Sequence, residues 1–260
     1  MSLTPPPFLQ LRNAVVRRAG RAILTVDAFE LACGENIALL GPNGSGKSTF
    51  VKLVTREMLP LHRDEPPVLF KGRDRATLAE VKRSLGVVSS TMQEQMTVHL
   101  PTVDIVAGGL YGALGIPQAV AAADADAARD AMTLSTGQAR RALIARALVH
   151  DPEALVLDEP CTGLDPEGMF YVRRSMRALA QAGKSIVLVT HYPEDVIPEI
   201  ARLVLVKDGA VFADGPKESL LSDDTMSALF GVPLRVNRTA VPALAKNAEE
   251  DAYFSLVSAY

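Results

Sequence analysis

The sequence predicts an α/β fold with a mostly parallel sheet, an antiparallel β subdomain near the N-terminus and a small helical subdomain. Three observations carry that prediction. A glycine-rich stretch, GPNGSGKST at 41–49, sits between a short apolar run at 36–40 and a helical pattern that starts at Lys47. In that pattern Phe50, Leu53, Val54 and Met58 recur at spacings of three and four. Two further apolar runs, 154–157 and 186–189, read as buried strands of a parallel sheet.

The elements follow in chain order. Residues 8–40 read as strands and turns. The core then begins, is interrupted by a helical insert at 91–150, and resumes. AVAAADADAARDAM inside the insert is rich in alanine and so helical, with its acids on a solvated face. The run 203–206, the turn Asp208-Gly209 and the run 210–213 read as a closing hairpin. Gly72, Gly86 and Gly209 read as turn glycines. The main domain spans 8–236, and 237–260 reads as a C-terminal tail, partly helical and loose at its start.

Gly41-x4-Gly46-Lys47-Ser48 fits the phosphate-binding loop pattern, and its strand–loop–helix context is the confirming one. Glycine lets the backbone come close to oxygen atoms. The loop of Gly41, Pro42, Asn43, Gly44, Ser45, Gly46 and Thr49 is expected to wrap phosphates with its backbone amides, Pro42 having none to donate, helped by the positive end of the helix. Lys47 is expected at the β- and γ-phosphates of ATP and Ser48 at Mg²⁺. This makes the core a P-loop NTPase. The run 154–157 ends in Asp158 and Glu159. Ligands gather at the carboxyl ends of strands in open α/β sheets. Asp158 is placed to bind Mg²⁺ or its water, and Glu159 to orient or deprotonate an attacking water.

At this point the chain resembles the nucleotide-binding subunits of ATP-binding cassette (ABC) systems, over residues 9–236. LSTGQ at 134–138 is similar to the family's signature, followed by GQARRALIARAL as its usual helix. Cys161-Thr162-Gly163-Leu164-Asp165 is similar to the D-loop, and His191 to the switch histidine. The resemblance implies a head-to-tail dimer, expected to be a homodimer, with each ATP between one subunit's phosphate loop and the other's signature. Ser135, Gly137, Gln138 and Asp165 would then contact nucleotide across the dimer. His191 would contact the γ-phosphate and the attacking water. The residues agree with this: Ser135 offers a hydroxyl, Gly137 an amide with no Cβ in the way, and the helix start a partial positive charge. A plain helix cap is the alternative for Ser135.

Four departures from the family pattern stand out. Arg18 occupies the place of the usual adenine-stacking aromatic, and a guanidinium can also lie on a purine ring. The alternative is that Arg17, Arg18 and Arg21 form a solvated basic turn. Ser90 stands where a metal-sensing glutamine is expected, in the run LGVVSS at 85–90. Gln93, or else Gln95, takes that role and the coupling to a membrane partner. The variant run is similar to molybdate-type and photorepair-associated cassette proteins, which sets no substrate. The insert is short for the family, and Thr136 replaces a signature glycine. A β-branched residue fits there only at negative φ.

Composition bounds the function. The net charge of −3 argues against a general nucleic-acid surface. Cys33 and Cys161 form neither a metal spacing nor a disulfide framework, which fits a reducing compartment. No signal pattern and no membrane-spanning run is present, so transport needs a separate transmembrane permease subunit. The expected location is cytoplasmic, held on the inner face of the cell membrane through that partner. No internal repeat suggests a tandem cassette. The favoured role is the ATP-binding and ATP-hydrolysing subunit of an ABC transporter. The rivals are a soluble ABC-type ATPase in repair or regulation, and a dimerisation switch with negligible turnover.

Overall fold

The computed structural model describes residues 6–89, 92, 101–111, 134–241 and 251–258. Its principal sheet has nine strands, and the order of the strands explains where the site forms. Strands β1 (Leu9–Arg18) and β2 (Arg21–Leu31) make an antiparallel hairpin, and β4 (Val68–Phe70) adds to β1 antiparallel. Strands β3 (Ile37–Leu40), β5 (Leu85–Ser89), β6 (Ala154–Asp158), β7 (Ser185–Thr190) and β8 (Arg202–Lys207) are mutually parallel. Strand β9 (Ala210–Pro216) returns antiparallel to β8 and touches β2 at Thr25. The order is β4-β1-β2-β9-β8-β3-β7-β6-β5. The antiparallel subdomain is therefore continuous with the parallel core.

The parallel strands are buried on both faces, as their unbroken apolar runs require. Successive side chains alternate between two cores. Ile37, Leu39, Val156 and Val187 join Phe50 and Leu53 of helix α1 (Lys47–Val54) on one face. Ala38, Leu40, Leu155 and Leu157 join helices α4 (Thr136–Leu148) and α5 (Pro166–Gln181) on the other. Two shorter helices, α2 (Leu78–Ser84) and α3 (Thr102–Ala107), precede these in the chain. Because β3, β7 and β6 are neighbours, their carboxyl ends bring the 41–49 loop, His191 and the Asp158–Glu159 pair side by side.

Two expectations need correction. Gly86 is not a turn glycine, unlike Gly72 and Gly209, whose φ values are 73° and 76°. It lies inside β5, where α4 crosses so closely that a Cβ would come within 2.8 Å of the Ala147 carbonyl oxygen. The tail is strand where it is described: β10 (Leu234–Val241) and β11 (Asp251–Ser258) pair antiparallel, and β10 runs through the expected boundary at 236/237. Ala252, Phe254 and Leu256 recur every second residue, which is a strand period rather than a helical one.

Phe254 is 3% exposed against the second core, with the Lys217 ammonium 5.9 Å from its ring. Phe254→Ala is expected to cost about 3–5 kcal/mol, the usual range for truncating a buried phenylalanine. A urea titration reads this as a lower midpoint at an unchanged slope. A midpoint equal to the parent's would mean that the ribbon does not share the core.

Candidate functional site

The glycine-rich loop is built by its neighbours. Gly46 caps the start of α1 with φ 111°, a conformation that side-chain-bearing residues rarely adopt. A Cβ at Gly41 would overlap the Val206 carbonyl oxygen, so only glycine lets the loop leave β3 beside β8. The Gly209 amide donates to the Ser45 carbonyl at 2.8 Å and pins the loop to the β8–β9 turn. Lys47 is 6% exposed, and its ammonium donates to the carbonyls of Gly41 at 2.7 Å and Pro42 at 3.0 Å. Burial pushes its pKa down, while Glu159 and Asp158 oppose the shift. Ser48 is exposed one residue on.

The acid pair stands opposite. Burial, assisted by the charge of Glu159, raises the pKa of Asp158; Lys47 and Arg140 work against the rise. Glu159 has φ 51°, a left-handed conformation that costs a non-glycine residue on the order of 1–3 kcal/mol. It is held there from three sides. Its amide donates to the Val189 carbonyl at 2.8 Å, the Thr162 hydroxyl donates to its Oε2 at 2.9 Å, and its Oε1 lies 2.7 Å from His191 Nδ1. The loop after His191 is braced in turn. Tyr192 N donates to the Thr190 hydroxyl, which bonds Asp195, and Asp195 is paired with Arg173 at 2.8 Å.

One cleft of about 550 Å³ is lined by Arg18, Ile23, Asn43, Gly44, Gly46, Lys47, Ser48, Thr49, Glu159, Thr162 and His191, whereas Gly41, Pro42, Ser45 and Asp158 do not line it. Arg18 reaches it from the end of β1, paired with Arg21 across the hairpin turn. Ser135, Gly137, Gln138 and Asp165 do not line this cleft. Ser135 caps α4: its Oγ accepts from Gln138 N at 3.3 Å, while Gln138 Oε1 accepts from Ser135 N at 3.0 Å. Thr136 is the first helical residue and is not among those with positive φ, so the β-branched side chain fits. Gly137 lies so close to Gly168 that a Cβ would come within 3.0 Å of its Cα. Asp165 caps α5 by accepting from Gly168 N at 2.7 Å. Gln93, expected to sense the metal, lies outside the described residues, as do Ser90 and Gln95.

The family model for ABC transporters matches residues 24–162, a span that holds the loop, the LSTGQ stretch and the acid pair. The chain belongs to the ABC transporter family. YlmA of Bacillus subtilis, an ABC transporter ATP-binding protein, is 32% identical over 250 residues, covering 88% of this chain and 93% of that protein. ModF of Escherichia coli, also an ABC transporter ATP-binding protein, is 34% identical over 226 residues, covering 79% of this chain and 46% of its own length. Among solved structures, an ATP-binding cassette of an ABC transporter in its ADP conformation shares the fold with a TM-score of 0.68 at 22% identity, covering 82% of this chain and 92% of that one.

The chain is thus the ATP-binding, ATP-hydrolysing subunit of an ABC transporter, and the transporter role prevails over the soluble ATPase. No helix among the described residues is long and apolar enough to cross a membrane itself. Three residues were not foreseen: Ile23 and Thr162 line the cleft, and Arg140 is buried without lining it. Thr162 is legible only as part of the D-loop stretch. Arg140 is 2% exposed within α4, and burial lowers its pKa; no sequence signal sets it apart from Arg141.

Proposed function

We propose that two copies of this chain pair head to tail, hydrolyse ATP with Mg²⁺ in two shared sites, and dock on a permease at the inner face of the cell membrane. One observation carries the reading. The cleft holds the loop, Glu159 and His191, while the Ser135 end of α4 stands apart from it and exposed. A serine hydroxyl accepts and donates at once. Ser135 accepts from its own helix, so its proton is left to donate to a γ-phosphate on a second copy. The helix cap and the phosphate contact are two uses of one side chain.

The donors suit Mg²⁺. Ser48 and Asp158 offer only oxygen, and no cluster of three or more His, Cys, Asp or Glu exists among the described residues. Mg²⁺ is commonly held by one or two protein oxygens together with substrate phosphates. When bound, the ion neutralises charge on the phosphates. Lys47 leaves the loop carbonyls for the β- and γ-phosphates. Glu159, fixed by Thr162 and His191, orients the attacking water and takes its proton. His191 holds Glu159 through Nδ1 and keeps Nε2 for the γ-phosphate region.

Sedimentation tests the pairing. With a non-hydrolysable ATP analogue and Mg²⁺ the chain should double its mass, and with ADP it should return to the monomer. A chain that hydrolyses ATP while remaining a monomer would overturn the shared-site reading. Copurification of a membrane protein in detergent tests the permease.

The adenine contact is a separate prediction. Arg18 lines the cleft beside Ile23. Arg18→Ala should weaken ATP binding by about 0.5–2 kcal/mol, the scale of a cation over an aromatic ring, and Arg18→Tyr should restore it. Calorimetry decides the matter, because an unchanged affinity leaves Arg18 as part of a basic turn.

A further inference from the structure

Val236 of β10 and Leu256 of β11 face each other across the C-terminal ribbon. Their amides both point outward, and a carboxylate accepts each one. Asp223 Oδ1 accepts from Val236 N at 2.7 Å, and Glu194 Oε1 accepts from Leu256 N at 3.2 Å. In an antiparallel pair such a level is one without ladder bonds, so both edges can reach other elements. On the β10 edge the Ser227 hydroxyl also accepts from Leu234 N, at 2.9 Å. That edge is therefore fastened to the helix Asp223–Phe230. The β11 edge is fastened to the turn Pro193–Asp195, which follows His191 and Tyr192. Phe254 anchors the ribbon in the second core. Glu194 Oε2 is buried and has no hydrogen-bond partner among the described residues. Leaving a buried acceptor unpaired is costly. The side chain therefore depends on Leu256 N for its place.

We propose that Glu194 is a positioning residue for hydrolysis, through which the ribbon braces the turn that carries Tyr192 onto the His191 ring. The inference rests on the reading of His191 as the group beside the γ-phosphate. The contacts run without a break from ribbon to site. Leu256 N holds Glu194, and Glu194 belongs to the turn. The turn opens at Tyr192, whose carbonyl accepts from Asp195 N at 3.1 Å. The Tyr192 and His191 ring centroids are 3.9 Å apart. His191 Nδ1 lies 2.7 Å from Glu159 Oε1, so the place of the ring sets where Nε2 stands. The turn has two braces. Thr190 and Arg173 hold the Asp195 carboxylate from the core, and Leu256 holds Glu194 from the ribbon. Only the second ties the turn to the C-terminal tail. ATP binding rests on the 41–49 loop, so this brace bears on the rate of hydrolysis and not on affinity.

The test pairs single-turnover hydrolysis with calorimetric ATP binding on the full chain. Glu194→Ala should slow hydrolysis about tenfold, the scale of one hydrogen bond to a charged group, and bind ATP as the parent does. Glu194→Gln keeps an acceptor for Leu256 N and should hydrolyse near the parental rate. Leu256→Pro removes the donor instead, at an edge where proline is tolerated, and should show the same loss as Glu194→Ala. A merely structural role would lower the thermal midpoints of Glu194→Ala and Leu256→Pro and leave their rates parental, which overturns the proposal. Equal losses in the Gln and Ala variants also overturn it, since the acceptor would then not matter. A His191→Ala background checks the route. There Glu194→Ala should add nothing, because it acts through the His191 ring, and an undiminished further loss sinks the brace. If His191→Ala is slow while Glu194→Ala keeps the parental rate, the brace falls and the His191 reading stands. If His191→Ala hydrolyses at the parental rate, the His191 reading falls and takes the brace with it.

Discussion

Glu159→Gln is expected to bind ATP with parental affinity and to hydrolyse it roughly 10²–10⁴ times more slowly, the usual worth of a positioned base. The substitution is close to isosteric. Its amide oxygen can still accept from the Thr162 hydroxyl, which lies 2.9 Å from Oε2. The backbone at φ 51° stays anchored by the Glu159 amide on Val189. What is lost is the lone pair that takes a proton from water. Binding and chemistry therefore separate, and the ATP-bound dimer should accumulate. Single-turnover hydrolysis beside equilibrium binding checks this. Hydrolysis at the parental rate would remove Glu159 from the role of base and leave the Glu159–His191 pair as structure.

Much of the site was legible because its chemistry is carried by neighbours in sequence. The phosphate loop needs glycine at fixed spacings and a helix directly after it, so a linear pattern suffices. Asp158 and Glu159 announced themselves by ending an apolar run, and His191 by following the next one. What was not legible depends on tertiary approach. Gly86 reads as a turn until α4 is seen to cross β5 at Ala147. Arg140 and Arg141 look alike in the string ARRA, and only packing on β6 sends one of them inward. The tail at 237–260 reads in part as helix, yet 237–241 and 251–258 are strand, and Ala252, Phe254 and Leu256 alternate as a strand does. Ser135 and Asp165 show a different limit. Both were assigned to the nucleotide, and within one chain both are helix caps. On the proposed pairing, their contact with nucleotide comes only from a second copy.

Lys47→Ala is expected to abolish useful ATP binding. In the free chain the ammonium satisfies two loop carbonyls, at 2.7 Å and 3.0 Å, and so holds the loop ready. When ATP enters, the same group can exchange carbonyls for phosphate oxygens without leaving the loop. Hydrogen bonds to charged groups contribute about 1.5–3 kcal/mol each. Losing two of them on the phosphates predicts a fall in affinity of about 10²–10⁴-fold. Folding should be nearly untouched. Burial already disfavours the charged form of Lys47, as its lowered pKa records, so removing it relieves a desolvation cost while two hydrogen bonds are lost. A thermal melt distinguishes the two effects in one experiment. ATP should raise the parent's melting temperature by ligand linkage and leave the variant's in place. An equal ATP-dependent rise in both proteins would show that the phosphates are held elsewhere than at the 41–49 loop.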